Sequence, residues 1–102
     1  MQAGQINETL IGTGGQFSAF IPTGSNTTTL KKGPGRVCKI IVTGAGSASF
    51  SIFDNTAASG NVIYTSPATT SIGQILDVQV PAQTGITVVN AASGPAFAVS
   101  FN

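Results

Sequence analysis

Apolar and polar residues alternate along most of this 102-residue chain, in short runs separated by Gly, Pro, Ser, Thr and Asn. A period of two is typical of a β-strand with one buried face, and no window repeats its apolar positions with the period of a helix. β-Branched residues are common and strong helix formers are few, which also favours strands. The pattern predicts about eight strands, at residues 16–21, 26–30, 36–43, 48–53, 61–66, 74–80, 86–90 and 96–101.

Short strands at this spacing are typical of an all-β protein in which two antiparallel sheets pack face to face. We therefore predict a single antiparallel β-sandwich domain over residues 16–102, either jelly-roll-like or immunoglobulin-like. The inward positions of the later strands are predicted to fill its core: Phe50, Ile52, Leu76, Val78, Val80, Phe97, Val99 and Phe101.

Residues 1–15 lack a clean alternation and end in a glycine-rich stretch, so we predict an extended N-terminal arm. Its apolar side chains are candidates for contact with a neighbouring protein; they are Ile6, Leu10 and Ile11. Ordering an extended segment costs about 1–2 kcal/mol per residue, more than three apolar side chains can offset. We therefore expect residues 9–11 to add a strand to the edge of a neighbouring subunit's sheet.

Residues 36–43 form a long, largely apolar run that is predicted to be the central strand. Alternation divides the side chains of this strand between two faces. The inward face carries Cys38, Ile40 and Val42. The outer face carries Val37, Lys39 and Ile41. Since the outer face is also substantially apolar, we predict that these three residues contact another protein.

Residues 40–49 have the sequence IIVTGAGSAS, which is similar to the phosphate-binding turn of a dinucleotide-binding fold. That turn must open a helix, whereas residues 49–53 alternate as a strand. Asp54 also follows too soon for the ribose-binding acid, which is expected about 20 residues further on. We therefore reject a nucleotide site and predict that residues 44–47 form a β-hairpin turn.

Charged residues make up only 7% of the chain, against about 25% in ordinary soluble proteins. The net charge of +1 gives no reason to expect a nucleic-acid or membrane partner. We also expect no signal peptide and no transmembrane helix, because no suitable apolar run is present. A surface of this composition fits a protein that packs against other subunits or lies in an exposed shell.

All four cations lie close together in the sequence, at Lys31, Lys32, Arg36 and Lys39. They can serve as a solvated turn and strand edge that discourages edge-to-edge aggregation. They can equally form a salt-bridging patch toward an acidic neighbouring subunit. The sequence leaves both interpretations open.

The chain has no His and a single Cys, which removes the usual general base, the usual zinc ligands and every His-based triad. Asp54 and Asp77 could form a glycosidase pair only if they shared one cleft, and nothing in the sequence favours this. We therefore predict that the protein is not an enzyme and uses no metal or cofactor. Cys38 lies in an apolar run and is predicted to be a buried free thiol.

Asp54 has two possible roles. As a calcium or sugar ligand it would need further acids nearby, and the chain has only three acidic residues. As a structural residue it would accept hydrogen bonds from backbone N–H groups of the loop at residues 55–60. We favour the structural role, in which Asp54 fixes a loop.

Four segments carry a resemblance to known proteins: residues 30–37 (LKKGPGRV), 39–42 (KIIV), 51–60 (SIFDNTAASG) and 84–89 (TGITVV). On these segments residues 30–101 resemble small β-sandwich virion proteins of tailed bacteriophages. The resemblance implies a capsid decoration or cement protein, or a head or tail appendage, located in the virion after assembly in the bacterial cytoplasm. It also implies the major capsid protein or another virion protein as partner, and a homo-oligomer, often a trimer.

The alternative function is a receptor- or carbohydrate-binding module of a phage fibre or tail. Sugar sites usually stack the sugar ring on exposed aromatic side chains. The chain has no Trp, one Tyr and six Phe, and most of the Phe residues occupy predicted core positions. The composition therefore favours a structural role over glycan binding.

Overall fold

The computed structural model describes residues 15–102, and none of these residues is helical. Each of the eight predicted strands is present, with shifted ends. The strands are β1 (Phe17–Ile21), β2 (Asn26–Lys31), β3 (Gly35–Gly44), β4 (Ser51–Phe53), β5 (Val62–Thr65), β6 (Ile75–Ala82), β7 (Ile86–Asn90) and β8 (Ala96–Phe101). The prediction of an all-β protein is confirmed.

The strands form two four-stranded antiparallel sheets. Sheet A has the order β1-β8-β3-β6, and sheet B has the order β2-β7-β4-β5. The chain pairs as one long hairpin folded at the β4–β5 loop: β1 with β8, β2 with β7, β3 with β6 and β4 with β5. This is the pairing of an eight-stranded jelly roll. It differs from the immunoglobulin order, in which the first, second, fifth and fourth strands share a sheet.

The core lies between the two sheets and is built from the inward side chains of both. The ring of Phe50, beside β4, stacks on Phe97 of β8 with centroids 4.0 Å apart, so it joins sheet B to sheet A. Phe50, Ile52, Phe97 and Val99 are no more than 1% exposed. The predicted inward positions of these strands are therefore confirmed.

The predicted position of Val37 on the outer face is wrong. Val37 is 0% exposed and belongs to the core cluster, as does Ile40. The pairing of β3 with β8 advances two residues on β3, from Val37 to Lys39, for one residue on β8. Cys38 is therefore a bulge residue, and a bulge reverses the alternation of the strand. Lys39 and Ile41 keep their predicted outward positions, whereas Val37 turns inward.

The predicted hairpin turn at residues 44–47 is also wrong. β3 lies in sheet A and β4 in sheet B, so the segment between them crosses from one sheet to the other. β3 already has β8 and β6 as its two neighbours, and no edge remains for β4. Gly46 pairs with Thr70, and a Cβ atom on Gly46 would overlap the backbone of Gly94 and Pro95. Glycine at position 46 therefore allows the backbone of this segment to approach the backbone of Gly94 and Pro95 closely.

The predicted strand at residues 74–80 stops before Pro81, but β6 continues through this residue to Ala82. Pro81 lies opposite Arg36, whose N–H and C=O both bond to Asn102 on the β8 side. Proline lacks an N–H and is tolerated on an edge strand such as β6. The absence of a backbone N–H group at Pro81 therefore removes no hydrogen bond from sheet A at this position.

Candidate interaction surface

The outer face of sheet A carries an apolar row that crosses all four strands. Phe20 of β1 lies opposite Ala98 of β8, Ala98 lies opposite Ile41 of β3, and Ile41 lies opposite Ile75 of β6. Phe20 is 62% exposed, Ile41 46% and Ile75 61%. We call these four residues the apolar row. The large side chains of the apolar row are exposed to solvent, although a neighbouring residue in each strand packs in or against the core.

A polar row runs beside the apolar row, two residues away along each strand. It consists of Ser18, Ser100, Lys39 and Asp77, again paired across all four strands. Lys39 and Asp77 lie directly opposite each other, an arrangement of opposite charges that stabilises a sheet by about 0.2–1 kcal/mol. An apolar centre with a polar rim is the usual anatomy of a protein–protein interface.

The residues that directly precede β1 lie next to this polar row. The N–H of Gly15 donates a hydrogen bond of 2.6 Å to Oγ of Ser100. The N–H of Gln16 donates one of 2.9 Å to Oδ1 of Asn102. A Cβ atom on Gly15 would overlap the backbone of Phe101, so only glycine fits there. Gly15 thus lies against sheet A. Residues 1–14, with the predicted contact residues Ile6, Leu10 and Ile11, lie outside the described residues.

Asp54 holds a turn through its side chain, but its hydrogen-bond partners differ from those predicted. Its carboxylate accepts backbone N–H groups from the β6–β7 turn: Gln83 at 3.0 Å, Thr84 at 2.7 Å and Gly85 at 3.3 Å. The N–H groups of Thr84 and Gln83 hold the pKa of the Asp54 carboxyl below its usual value of 3.8. The prediction that Asp54 fixes its own loop, residues 55–60, is therefore wrong, because the carboxylate binds a turn about thirty residues further on.

Asn55 holds the loop that Asp54 was expected to hold. Its Nδ2 donates to the carbonyl oxygen of Ser59 at 2.9 Å, and its Oδ1 accepts from the N–H of Thr56 at 2.7 Å. The carbonyl oxygen of Asn55 accepts from the Thr87 hydroxyl at 2.8 Å. Within residues 15–102 no three His, Cys, Asp or Glu side chains come together in a way that could hold a metal ion.

Three of the four cations lie in strands, one in sheet B and two in sheet A. Lys31 ends β2 at the edge of sheet B, and Lys32 follows in the turn. Arg36 and Lys39 belong to β3, in the middle of sheet A. Lys31 is therefore in a position to discourage edge-to-edge aggregation, whereas Lys39 lies opposite Asp77 in the pair of β3 and β6. Cys38 is buried, as predicted.

A shallow cleft of about 470 Å³ lies at one end of the sandwich, where the loops before β4, β6 and β8 meet. Hydroxyl groups and backbone line it, including Thr23, Ser47, Thr69 and Ser93. The residues that line the cleft include no aromatic and no charged side chain. A platform for stacking a sugar ring is therefore missing from this cleft.

The apolar row includes residues that the sequence pattern did not single out, namely Phe20, Ala98 and Ile75. Each is an apolar residue at an outward position of its strand, and a single exposed apolar residue is ordinary in a soluble protein. Only the pairing register aligns the three with Ile41.

Comparison with protein families, with curated proteins and with solved structures finds no match. Among residues 15–102 no helix is long and apolar enough to cross a membrane. The function is therefore argued from the surface of the molecule itself.

Proposed function

We propose that this chain is a structural virion protein of a tailed bacteriophage, a capsid decoration or cement subunit that acts through protein–protein contacts. The observation that carries the proposal is the apolar row on sheet A, where Phe20, Ile41 and Ile75 are between 46% and 62% exposed. Exposed apolar surface with a polar rim marks a place where another protein binds. The partner is the major capsid protein or another virion protein, and the chain itself forms a homo-oligomer.

Three further observations support this role. The low charge of the chain suits a surface that is covered by neighbours. Jelly rolls occur in viral capsid proteins as well as in lectins and cupins, although a fold alone does not define a function. The carboxylate of Asp54 accepts backbone N–H groups and stabilises a turn, which is a structural task.

The apolar row alone is too small to hold a stable complex. Burying the exposed half of a Phe or Ile side chain contributes about 1 kcal/mol. Three such side chains supply less than the cost of association, which is about 4–15 kcal/mol. Attachment therefore needs further contacts, either from a second interface or from several copies that bind one particle together.

The experiment starts from phage particles that carry this gene, purified on a density gradient and analysed by quantitative mass spectrometry. We expect a copy number comparable with that of the major capsid protein. A few copies per particle would place the chain in a fibre or tail and favour the receptor- or carbohydrate-binding alternative. Absence from the particles would overturn the virion role.

A second experiment tests the surface. Particles that lack the protein are incubated with purified wild type, with Ile41→Asp or with Thr43→Asp. Ile41 belongs to the apolar row, whereas Thr43 is an exposed residue of the same strand outside it. A carboxylate buried at position 41 without a partner is strongly unfavourable, so Ile41→Asp should lose binding and Thr43→Asp should keep it. Full binding of a folded Ile41→Asp protein would contradict the proposed surface.

A further inference from the structure

The two sheets have four edge strands: β1 and β6 in sheet A, and β2 and β5 in sheet B. Three of these edges are irregular. β6 carries a register shift and a residue with positive φ, Gln79 at 49°. β2 carries a shift between Thr29 and Lys31. β5 has four residues and a shift against β4. Irregularities of this kind prevent a foreign strand from pairing with an edge.

β1 is the regular edge of the described chain. It pairs with β8 at five consecutive positions, from Phe17 opposite Phe101 to Ile21 opposite Phe97, without a shift. Its sequence, FSAFI, contains no charge and no proline. By contrast, β6 contains Pro81 and β2 ends in Lys31. Within residues 15–102, β1 therefore lacks the devices that keep a strand edge unpaired, and no strand of these residues pairs with its side away from β8.

Both faces of β1 carry an exposed aromatic side chain. Phe17 is 56% exposed and lies 5.8 Å from the Phe101 ring, beside a groove of about 290 Å³ that Leu30 and Lys31 also line. Phe20 is 62% exposed and begins the apolar row on the opposite face. A strand added to this edge would cover apolar surface on both faces at once.

We propose that β1 is a strand-pairing site and that its partner is β1 of a second copy of this chain, in antiparallel orientation. The incoming strand must itself be extended, uncharged and regular on its open edge. Among the edge strands of residues 15–102, β1 itself meets these conditions. Sheet A of one copy and sheet A of the other copy would then form one continuous sheet.

The sequence of β1 fits a twofold axis at Ala19. Ala19 then faces its own symmetry copy, and Phe20 faces Ser18 of the other copy, so a large side chain meets a small one. The two Phe20 rings become diagonal neighbours, a spacing that aromatic side chains can bridge. The two apolar rows meet at this point and form one larger apolar surface. The contact is isologous and closes as a dimer.

The dimer does not depend on the virion role. It supplies the second interface that the small apolar row requires, and it differs from the trimer implied by the phage resemblance. Sedimentation equilibrium of the full chain should give a mass twice that of the 10.2 kDa chain. A single-chain mass at high concentration, or a mass of three chains, would overturn the proposal.

Ser18→Lys tests the edge directly. Ser18 is exposed on β1, and a lysine on an edge strand opposes pairing. We expect Ser18→Lys to sediment as a single chain with unchanged far-UV circular dichroism. The control is Thr27→Lys, an exposed position on edge strand β2, which should retain the double mass. A dimer that survives Ser18→Lys would show that another surface holds it.

Ala19→Cys keeps the proposal testable if the lysine variant fails to fold. Across the twofold axis the two Cα atoms would be about 4.5–5.5 Å apart, which suits a disulfide. Oxidation should convert Ala19→Cys into a covalent dimer, whereas Thr27→Cys should stay a single chain.

A chain without residues 1–14 should still dimerise. Loss of the dimer on this deletion would assign the contact to the arm. Particle binding is scored separately, so the dimer and the virion role can fail independently.

Discussion

The carboxylate of Asp54 accepts a 2.7 Å hydrogen bond from the backbone N–H of Thr84, which joins the end of β4 to the turn between β6 and β7. The N–H groups of Thr84 and Gln83 lower the pKa of Asp54 because they favour its ionised form. A carboxyl whose folded pKa is lowered stabilises the fold above its unfolded pKa, about 3.8, and loses this contribution as the pH falls through the folded pKa.

The first prediction is therefore a pH dependence carried by Asp54. The melting temperature of the wild type should fall as the pH drops below about 4. Asp54→Asn should melt lower at neutral pH and show a smaller acid-induced drop. Asp77→Asn is the control, because the Asp77 carboxylate accepts a side-chain amide from Gln79 rather than backbone groups of a turn. Equal acid dependence in wild type and Asp54→Asn, measured by circular dichroism, would contradict this role.

The second prediction separates Val37 from Ile41. Val37 is 0% exposed, so Val37→Ala should lower the free energy of unfolding by about 2 kcal/mol. Ile41 is 46% exposed, and Ile41→Ala should change it by less than about 1 kcal/mol. Urea denaturation measures both. A change below about 1 kcal/mol for Val37→Ala as well would mean that Val37 faces outward with Ile41, as a strand without a bulge at Cys38 would place it.

The third prediction concerns Asn90, which is 3% exposed and ties three segments together. Its Nδ2 donates to the carbonyl oxygens of Pro22 at 3.0 Å and Pro95 at 2.8 Å, and its Oδ1 accepts from the N–H of Ala91 at 2.9 Å. Asn90→Asp keeps the size but removes both donors, which leaves the buried carbonyl oxygen of Pro95 without this partner, whereas Pro22 keeps its bond from Asn26 Nδ2. A buried acceptor that loses its partner costs about 1–3 kcal/mol, so the urea midpoint should fall. Asn61→Asp, at an exposed position, should leave the urea midpoint unchanged.

The fourth prediction is that the Cys38 thiol is protected in the folded protein. It is 0% exposed, with Sγ 3.9 Å from the carbonyl oxygen of Arg36. A thiol reagent such as Ellman's reagent should react with the wild type only after unfolding in urea. The exposed variant Thr43→Cys should gain one thiol that reacts at once in the native state. Rapid native reaction of the wild-type thiol would contradict its burial in the bulge.

The fifth prediction concerns the arm, whose residues 1–14 lie outside the described chain. The arm was predicted to anchor on a neighbour through Ile6, Leu10 and Ile11. Deletion of residues 1–14 keeps Gly15 and its bond to Ser100, so the far-UV circular dichroism should be unchanged. The shortened protein should lose attachment to particles. Full occupancy on particles would show that the arm contributes nothing to attachment.

Much of the fold could be predicted from the sequence because strand alternation is a local property. The positions of Phe50, Ile52, Phe97 and Val99 in the core follow from a period of two and from bounding turn residues. The failure at Val37 has a local cause as well. One inserted residue, Cys38, reverses the faces of the strand, and no feature of residues 36–43 distinguishes a bulged strand from a regular one.

The sheet partners could not be predicted in this way. Residues 44–47 resemble a hairpin turn, but the neighbours of β3 are β8 and β6, which come from far along the chain. The same holds for Asp54: its chemistry as an acceptor of N–H groups was predictable, whereas its partner was not. Gln83 and Thr84 approach it only because β6 and β7 return past β4 in the jelly roll.

The sequence by itself determined that the protein is all-β, that it has one sandwich core and that it contains no His and a single Cys. These properties depend on residue types and on local periodicity, which a linear pattern contains. The tertiary structure decided which of two sandwich topologies the strands adopt. It also decided that Phe20, Ala98, Ile41 and Ile75 form one row, and that β1 is the regular edge. Those features depend on register between strands distant in sequence, which is fixed by the packing of the whole core.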